Sequence, residues 1–375
     1  MKKIDLVNVL YTLIFSISAV VMPLYLIEKK IDVSSIGFII SLGPFVFMFL
    51  RVTLAAYADS LGTKKIDIFY SVSNLLAILS YYFGSSQLFY AVGNTLEGFR
   101  SSGFWAVVRT ETLKGVDQKD TGKNLVHYSN LRQVVEGLGK IIGGALIVFI
   151  GFSNTLLTLV LSSIALLIIN LTGKEDLPNI RRSSVSHHLF KHRPKTFWFS
   201  AILQMLIWLP YNASSYFILP LYLNKFLQFD YWQTGLYMAT YILGIGLFSV
   251  LFRRLSFDMP KLYSLSSLIV IGYLLIPFCG SFIILPLILI SIGNGCSNLI
   301  GEYILVDQII RSKDVSTDIG MTYVPLKIVE ALFYLCGGFL ISSFGYGPLF
   351  VMMAISIIVF LILSRKIIFE SKFNL

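Results

Sequence analysis

The sequence predicts an all-α membrane protein of twelve transmembrane helices, arranged as two six-helix bundles, and three observations carry the prediction. The first is composition: 56% of the 375 residues are hydrophobic and 13% charged, and the mean hydropathy is +0.77. A soluble globular enzyme is more polar than this, and a disordered chain has the opposite balance. The second is a series of apolar runs, each near the twenty or so residues that a helix needs to cross a bilayer. The third is a repeat that relates the second half of the chain to the first.

Cutting at polar or Gly/Pro-rich breaks places the spans at 6–27, 34–58, 66–84, 87–111, 125–151 and 153–173, then at 197–223, 232–252, 262–280, 283–310, 319–343 and 347–364. The first follows Met1-Lys2-Lys3 like a signal peptide, but it runs on to Ile27, too long for a cleaved leader. Most connections are a few residues long, which makes sequential spans antiparallel neighbours. Residues 174–196 are the exception: with Arg181, Arg182, Lys191, Arg193 and Lys195 they form a basic linker between an N-terminal bundle, 1–173, and a C-terminal bundle, 197–375. The seventh span carries Trp208, Pro210, Tyr211 and Asn212 near its middle, where a proline either kinks a helix or opens it around a ligand. His188 and His192 have metal-like i, i+4 spacing but sit in the polar linker. Cys279, Cys296 and Cys336 lie far apart inside apolar runs, so no disulfide framework, metal site or cofactor is expected.

An N-terminus in the cytoplasm leaves 21 cations in cytoplasmic segments against three outside, Lys29, Lys30 and Lys225. The positive-inside rule then accounts for the net charge of +10 without any nucleic acid. The expected setting is the cell membrane, with both termini cytoplasmic and the chain acting as a monomer.

The repeat has a near-constant offset. Pro23-Leu24-Tyr25-Leu26 and Gly37 correspond to Pro220-Leu221-Tyr222-Leu223 and Gly235. Glu136, Gly143-Gly144 and Gly151-Phe152 correspond to Glu330, Gly337-Gly338 and Gly345-Tyr346, each 194 residues on. Six spans per half is an even number, so both halves enter the membrane in the same sense and are related by an axis along its normal.

A charge at mid-bilayer costs about 2.5 to 3.5 kcal/mol on insertion scales, so charges within spans require a reason. Arg51, Arg100, Arg109, Arg132, Lys140 and Lys327 face Glu97, Glu111, Glu136, Glu302, Asp307 and Glu330 in this inventory, and all but Arg51 lie on the fourth, fifth, tenth and eleventh spans. Cations dominate the first half and anions the second, which favours attraction between the bundles. Arg132, Glu136 and Lys140 recur at i, i+4, i+8 and share one stripe. Glu136 lies near the membrane midplane, as does its counterpart Glu330, and these are the candidate proton sites. Glu97, Arg100, Arg132, Glu136, Lys140, Glu302, Lys327 and Glu330, with Tyr211 and Asn212, form the candidate substrate and proton pathway; the bland alternative is ion pairs that only join helices. Arg109 aligns with Asp307 at offset 198, a candidate gate salt bridge at the cytoplasmic ends of two spans.

After the second span, Ala55-Ala56-Tyr57-Ala58-Asp59-Ser60-Leu61-Gly62-Thr63-Lys64-Lys65 resembles the signature loop of the major facilitator superfamily. Asp59, Gly62 and Lys64 match its pattern, whereas Ala55, Ser60 and Thr63 depart from it. Gly139-Lys140-Ile141-Ile142-Gly143-Gly144 is similar to the fifth-helix motif of the family's drug/proton antiporters, with Lys140 in place of proline, and Asn94 stands where their fourth-helix arginine belongs. The resemblance implies a secondary transporter, not an enzyme, that moves a small polar or charged solute by alternating access, with Asp59, Gly62 and Lys64 at the cytoplasmic gate. Proton coupling follows from the two mid-depth glutamates. A multidrug/proton antiporter is the alternative within the family, and a non-transporting receptor or scaffold the alternative outside it.

Overall fold

The computed structural model describes residues 3–113, 121–173, 192–255, 257–309 and 315–370, and all regular structure among them is helical. Before the linker come α1 (Lys3–Glu28), α2 (Val33–Leu61), α3 (Lys64–Phe83), α4 (Gln87–Leu113) and α5 (Thr121–Thr172). After it come α6 (Lys195–Ala213), α7 (Tyr231–Arg254), α8 (Met259–Ser266), α9 (Leu268–Cys279), α10 (Ile284–Ile309), α11 (Val315–Thr322), α12 (Val324–Phe344) and α13 (Gly347–Glu370). Most of the linker, including His188, lies outside the described residues.

Nine stretches among the described residues are long and apolar enough to cross a membrane. Residues 128–172 of α5 count as one of them, as do α8 with α9 and α11 with α12, while α4 and α6 are not included. Exposed rings such as Phe83, Phe149 and Phe278 belong to the outer surface. In water they would drive aggregation; against lipid they cost nothing. Polar loops set several helix starts: Asp32 accepts from Ser35 N at 2.9 Å, and Asp230 and Gln233 form a capping box at α7. Those hydrogen bonds hold the Asp32 carboxyl below its ordinary range.

The repeat read from the sequence reappears in the backbone. Gly151 breaks α5 into two arms at φ 76°, ψ 169°, and Gly345 ends α12 at φ 75°, ψ −168°. Only glycine adopts that conformation without steric cost, so the same turn needs the same residue in both halves. The residue after each turn packs on the tyrosine of the Pro-Leu-Tyr-Leu motif: Phe152 on Tyr25 with ring centres 5.6 Å apart, and Tyr346 on Tyr222 at 5.2 Å.

The two halves meet along α2 with α12 and along α5 with α7. At the first crossing a Cβ on Gly37 would sit 2.5 Å from the carbonyl oxygen of Tyr334 and 2.9 Å from the Cα of Gly338. At the second, a Cβ on Gly235 would sit 2.6 Å from the carbonyl oxygen of Lys140 and 3.1 Å from the Cα of Gly144. Tyr334 and Lys140 are themselves repeat-equivalent, so the crossings are two copies of one contact. Small residues there let backbones approach closely, the usual device for packing helices in lipid.

Candidate functional site

A cavity of about 250 Å³ lies among the helices. Of the ten pathway residues expected from the sequence, nine line it: Glu97 and Arg100 from α4, Arg132 and Glu136 from α5, Tyr211 and Asn212 from α6, Glu302 from α10, and Lys327 and Glu330 from α12. Lys140 stands behind the wall, fully buried, with Nζ donating to the carbonyl oxygen of Ser215 at 3.2 Å. Ser215 belongs to a π turn, Ser214–Ile218, that follows directly on α6. Pro210 lies within α6, so the helix continues through the proline and changes its winding only afterwards. Such π turns recur at functional sites.

The two repeat-equivalent glutamates are enclosed by different partners. Glu136 Oε2 accepts from the Tyr211 hydroxyl and Oε1 from the Tyr216 hydroxyl, both at 3.1 Å, with Lys140 Nζ 4.0 Å away. Glu330 Oε2 accepts from Lys327 Nζ at 2.6 Å and Asn212 Nδ2 at 3.2 Å, and Oε1 accepts from the Tyr334 hydroxyl at 2.9 Å. Tyr211 and Asn212, adjacent on α6, therefore reach one carboxylate in each half of the chain. Tyr216 and Tyr334 were not foreseen as site residues, because a tyrosine in an apolar helix looks like packing. A signal did exist for Tyr334: it stands four residues after Glu330, in the slot that Lys140 takes after Glu136.

Four cations in and around the cavity wall lie over aromatic faces: Arg100 over Phe15 at 5.3 Å, Arg132 over Trp105 at 4.6 Å, Lys140 over Tyr216 and Lys327 over Phe47 at 5.0 Å. Arg100 also pairs with Glu97 at 3.1 Å. The pairs Glu97–Arg100, Glu136–Lys140 and Lys327–Glu330 all join residues three or four apart on one helix. Attraction between the halves, expected from the charge imbalance, is not what these pairs supply. A helical neighbour is held at the right distance by the backbone, so it wins over a partner on another helix.

At the other end of α2, the matched motif residues do separate things. Asp59 Oδ2 accepts from Thr317 N at 2.9 Å and Thr317 Oγ1 at 2.7 Å, which places its carboxylate at the start of α11 in the other half. Ser316 beside it donates to the carbonyl oxygen of Ala106 on α4 at 3.1 Å. Arg193, at the end of the linker, meets Asp318 at 2.8 Å, with both side chains buried. Gly62 ends α2 at φ 101° and turns the chain toward α3. Lys64 stays within its own half and donates to the carbonyl oxygens of Asn170, Leu171 and Gly173 at the end of α5. There it caps a helix C-terminus, where a cation suits the dipole. The side chains of Arg109 and Asp307 lie outside the described residues.

Nine apolar stretches among the described residues, around a partly open, ion-lined cavity, mark a polytopic membrane protein. The Major Facilitator Superfamily model matches residues 4–312, and the chain belongs to that family. No curated protein matches it.

Proposed function

We propose that the chain is a secondary active transporter in which two six-helix bundles, 1–173 and 197–375, rock about the cavity to move a small polar or charged solute, coupled to protons. In this reading α5 supplies two spans on either side of Gly151, α8 with α9 and α11 with α12 supply one each, and α4 and α6 complete twelve. The protein is a monomer in the cell membrane, with both termini and the Asp59 end of α2 on the cytoplasmic side. Asp59 and Thr317 are then part of the closed cytoplasmic gate, with Arg109 and Asp307 as a salt bridge beside them and Gly62 and Lys64 shaping the loop.

One observation carries the coupling: neighbouring residues of α6 hold two repeat-equivalent carboxylates, Glu136 through Tyr211 and Glu330 through Asn212. A hydrogen bond to a carboxylate is roughly twice as strong as one to a neutral acid. Protonating Glu136 therefore loosens a tie between the halves, and protonating Glu330 loosens one within the second half, so a proton from one side changes how α6 is held. In proteoliposomes Glu136→Gln and Glu330→Gln, which keep the shape but cannot take up the proton, abolish pH-driven accumulation while downhill exchange persists. Unchanged pH-driven uptake in both variants refutes proton coupling at these sites.

A further inference from the structure

The three carboxylate and cation pairs of the cavity region differ in what their partners leave over. Both oxygens of Glu136 and both oxygens of Glu330 accept hydrogen bonds. Glu97 is different: Oε2 takes Arg100 Nη2, and Oε1 is buried without a hydrogen-bond partner. Arg100 spends Nη1 on Asn74 Oδ1 at 3.0 Å and Nη2 on Glu97, while its Nε is buried without a partner. Tyr11, whose ring lies under the Arg100 guanidinium, has a buried hydroxyl in the same condition. Arg100 is 1% exposed and Tyr11 3%, and all three residues belong to the cavity wall.

An unsatisfied buried donor or acceptor costs about 1 to 3 kcal/mol, and native structures keep few of them. Three on one stretch of cavity wall, spread over α1 and α4, mark a place where a bound molecule completes the hydrogen bonding. The second half has no counterpart, since the offset of 198 puts Gly295 and Asn298 where Glu97 and Arg100 stand. The subsite is one-sided.

We infer that Glu97, Arg100 and Tyr11 form the head-group subsite for the substrate, and that it selects a net-neutral head in which a hydrogen-bond donor stands beside an acceptor. An ammonium next to a carboxylate, or two neighbouring hydroxyls, has this chemistry; the rest of the molecule packs on Phe15 and Phe104. The inference rests on reading the cavity as the substrate site. Its physical basis is that the pair already cancels its own charge. A lone anion gains Arg100 only by facing Glu97, and a lone cation gains Glu97 only by facing Arg100. A neutral head gives a donor to Glu97 Oε1 and an acceptor to Arg100 Nε and Tyr11 Oη at once.

The test uses the purified full chain and the quenching of its tryptophan fluorescence, since Trp105 and Trp208 line the cavity. Four probes are titrated at neutral pH: phenylalanine, glucose, 3-phenylpropionate as the anion and phenethylamine as the cation. Phenylalanine or glucose binds at least about tenfold more tightly than either ion, a difference of about 1.4 kcal/mol. Glu97→Gln leaves the Arg100 charge uncompensated, and 3-phenylpropionate then becomes the tightest ligand. Tyr11→Phe, which deletes one hydroxyl, weakens the neutral probe about fivefold with the ranking intact, and it tests the subsite even if the Glu97 variant misfolds. The inference is overturned if an ion binds tightest to the unaltered protein, if Glu97→Gln leaves the ranking as it was, or if no probe binds at millimolar concentration. Binding is read without transport, so failure of pH-driven uptake leaves this result standing, and failure here leaves the transport reading standing.

Discussion

The two glycine crossings and the glutamates Glu136 and Glu330 are related by the same repeat, yet the crossings have stayed alike and the glutamates have not. Gly37 on Gly338 and Gly235 on Gly144 present the same backbone atoms at nearly the same spacing. Glu136 is held chiefly by two tyrosine hydroxyls with a lysine at 4.0 Å, whereas Glu330 has a lysine at 2.6 Å, one tyrosine and one asparagine. Backbone contact tolerates no substituent, so duplication is preserved there. A carboxylate accepts any donor within reach, so the halves were free to diverge in chemistry while keeping a common scaffold.

The largest expected break in this comparison comes from the lysines. Lys327→Met takes away the closest partner of a carboxylate that is almost wholly buried, and a lost partner of this kind costs about 3 kcal/mol. Lys140→Met costs much less, because Glu136 keeps both tyrosine donors and a fully buried ammonium no longer has to be desolvated. Thermal unfolding in detergent separates the two, and equal losses would mean that the glutamate sites are not different in kind. Next come the crossings. Gly37→Val and Gly235→Val each force backbone apart and lose about 1 to 3 kcal/mol, by similar amounts. A valine accepted without loss at either position breaks the symmetry claimed for them. The smallest effect divides the motif after α2. Asp59→Ala removes the cap on α11, worth about 1 kcal/mol, and widens spin-label distances between α2 and α12; Lys64→Ala leaves those distances unchanged, since its bonds stay within one half. Widening in both variants would join Lys64 to the gate.

Much of the cavity lining was legible in advance, because a charged residue in an apolar run stands out. Glu97, Arg100, Arg132, Glu136, Glu302, Lys327 and Glu330 were found that way, and all line the cavity. Lys140 was found by the same reasoning but stands behind the wall, since a stripe on a helix is wider than the part of it that faces a cavity. The hydroxyl donors Tyr216 and Tyr334 escaped notice. So did Asp318, the buried partner of Arg193, because it lies at the edge of a span where a solvated charge is unremarkable.

What the sequence determined by itself is the membrane character, the order of the apolar helices and the repeat. Hydropathy, helix length and the demand for glycine at Gly151 and Gly345 are local or additive properties, and they can be read residue by residue. What only the tertiary structure decided is which donor each carboxylate receives and which polar atoms are left over at Glu97, Arg100 and Tyr11. Those depend on ångström-scale distances between side chains on different helices, which a one-dimensional pattern does not contain.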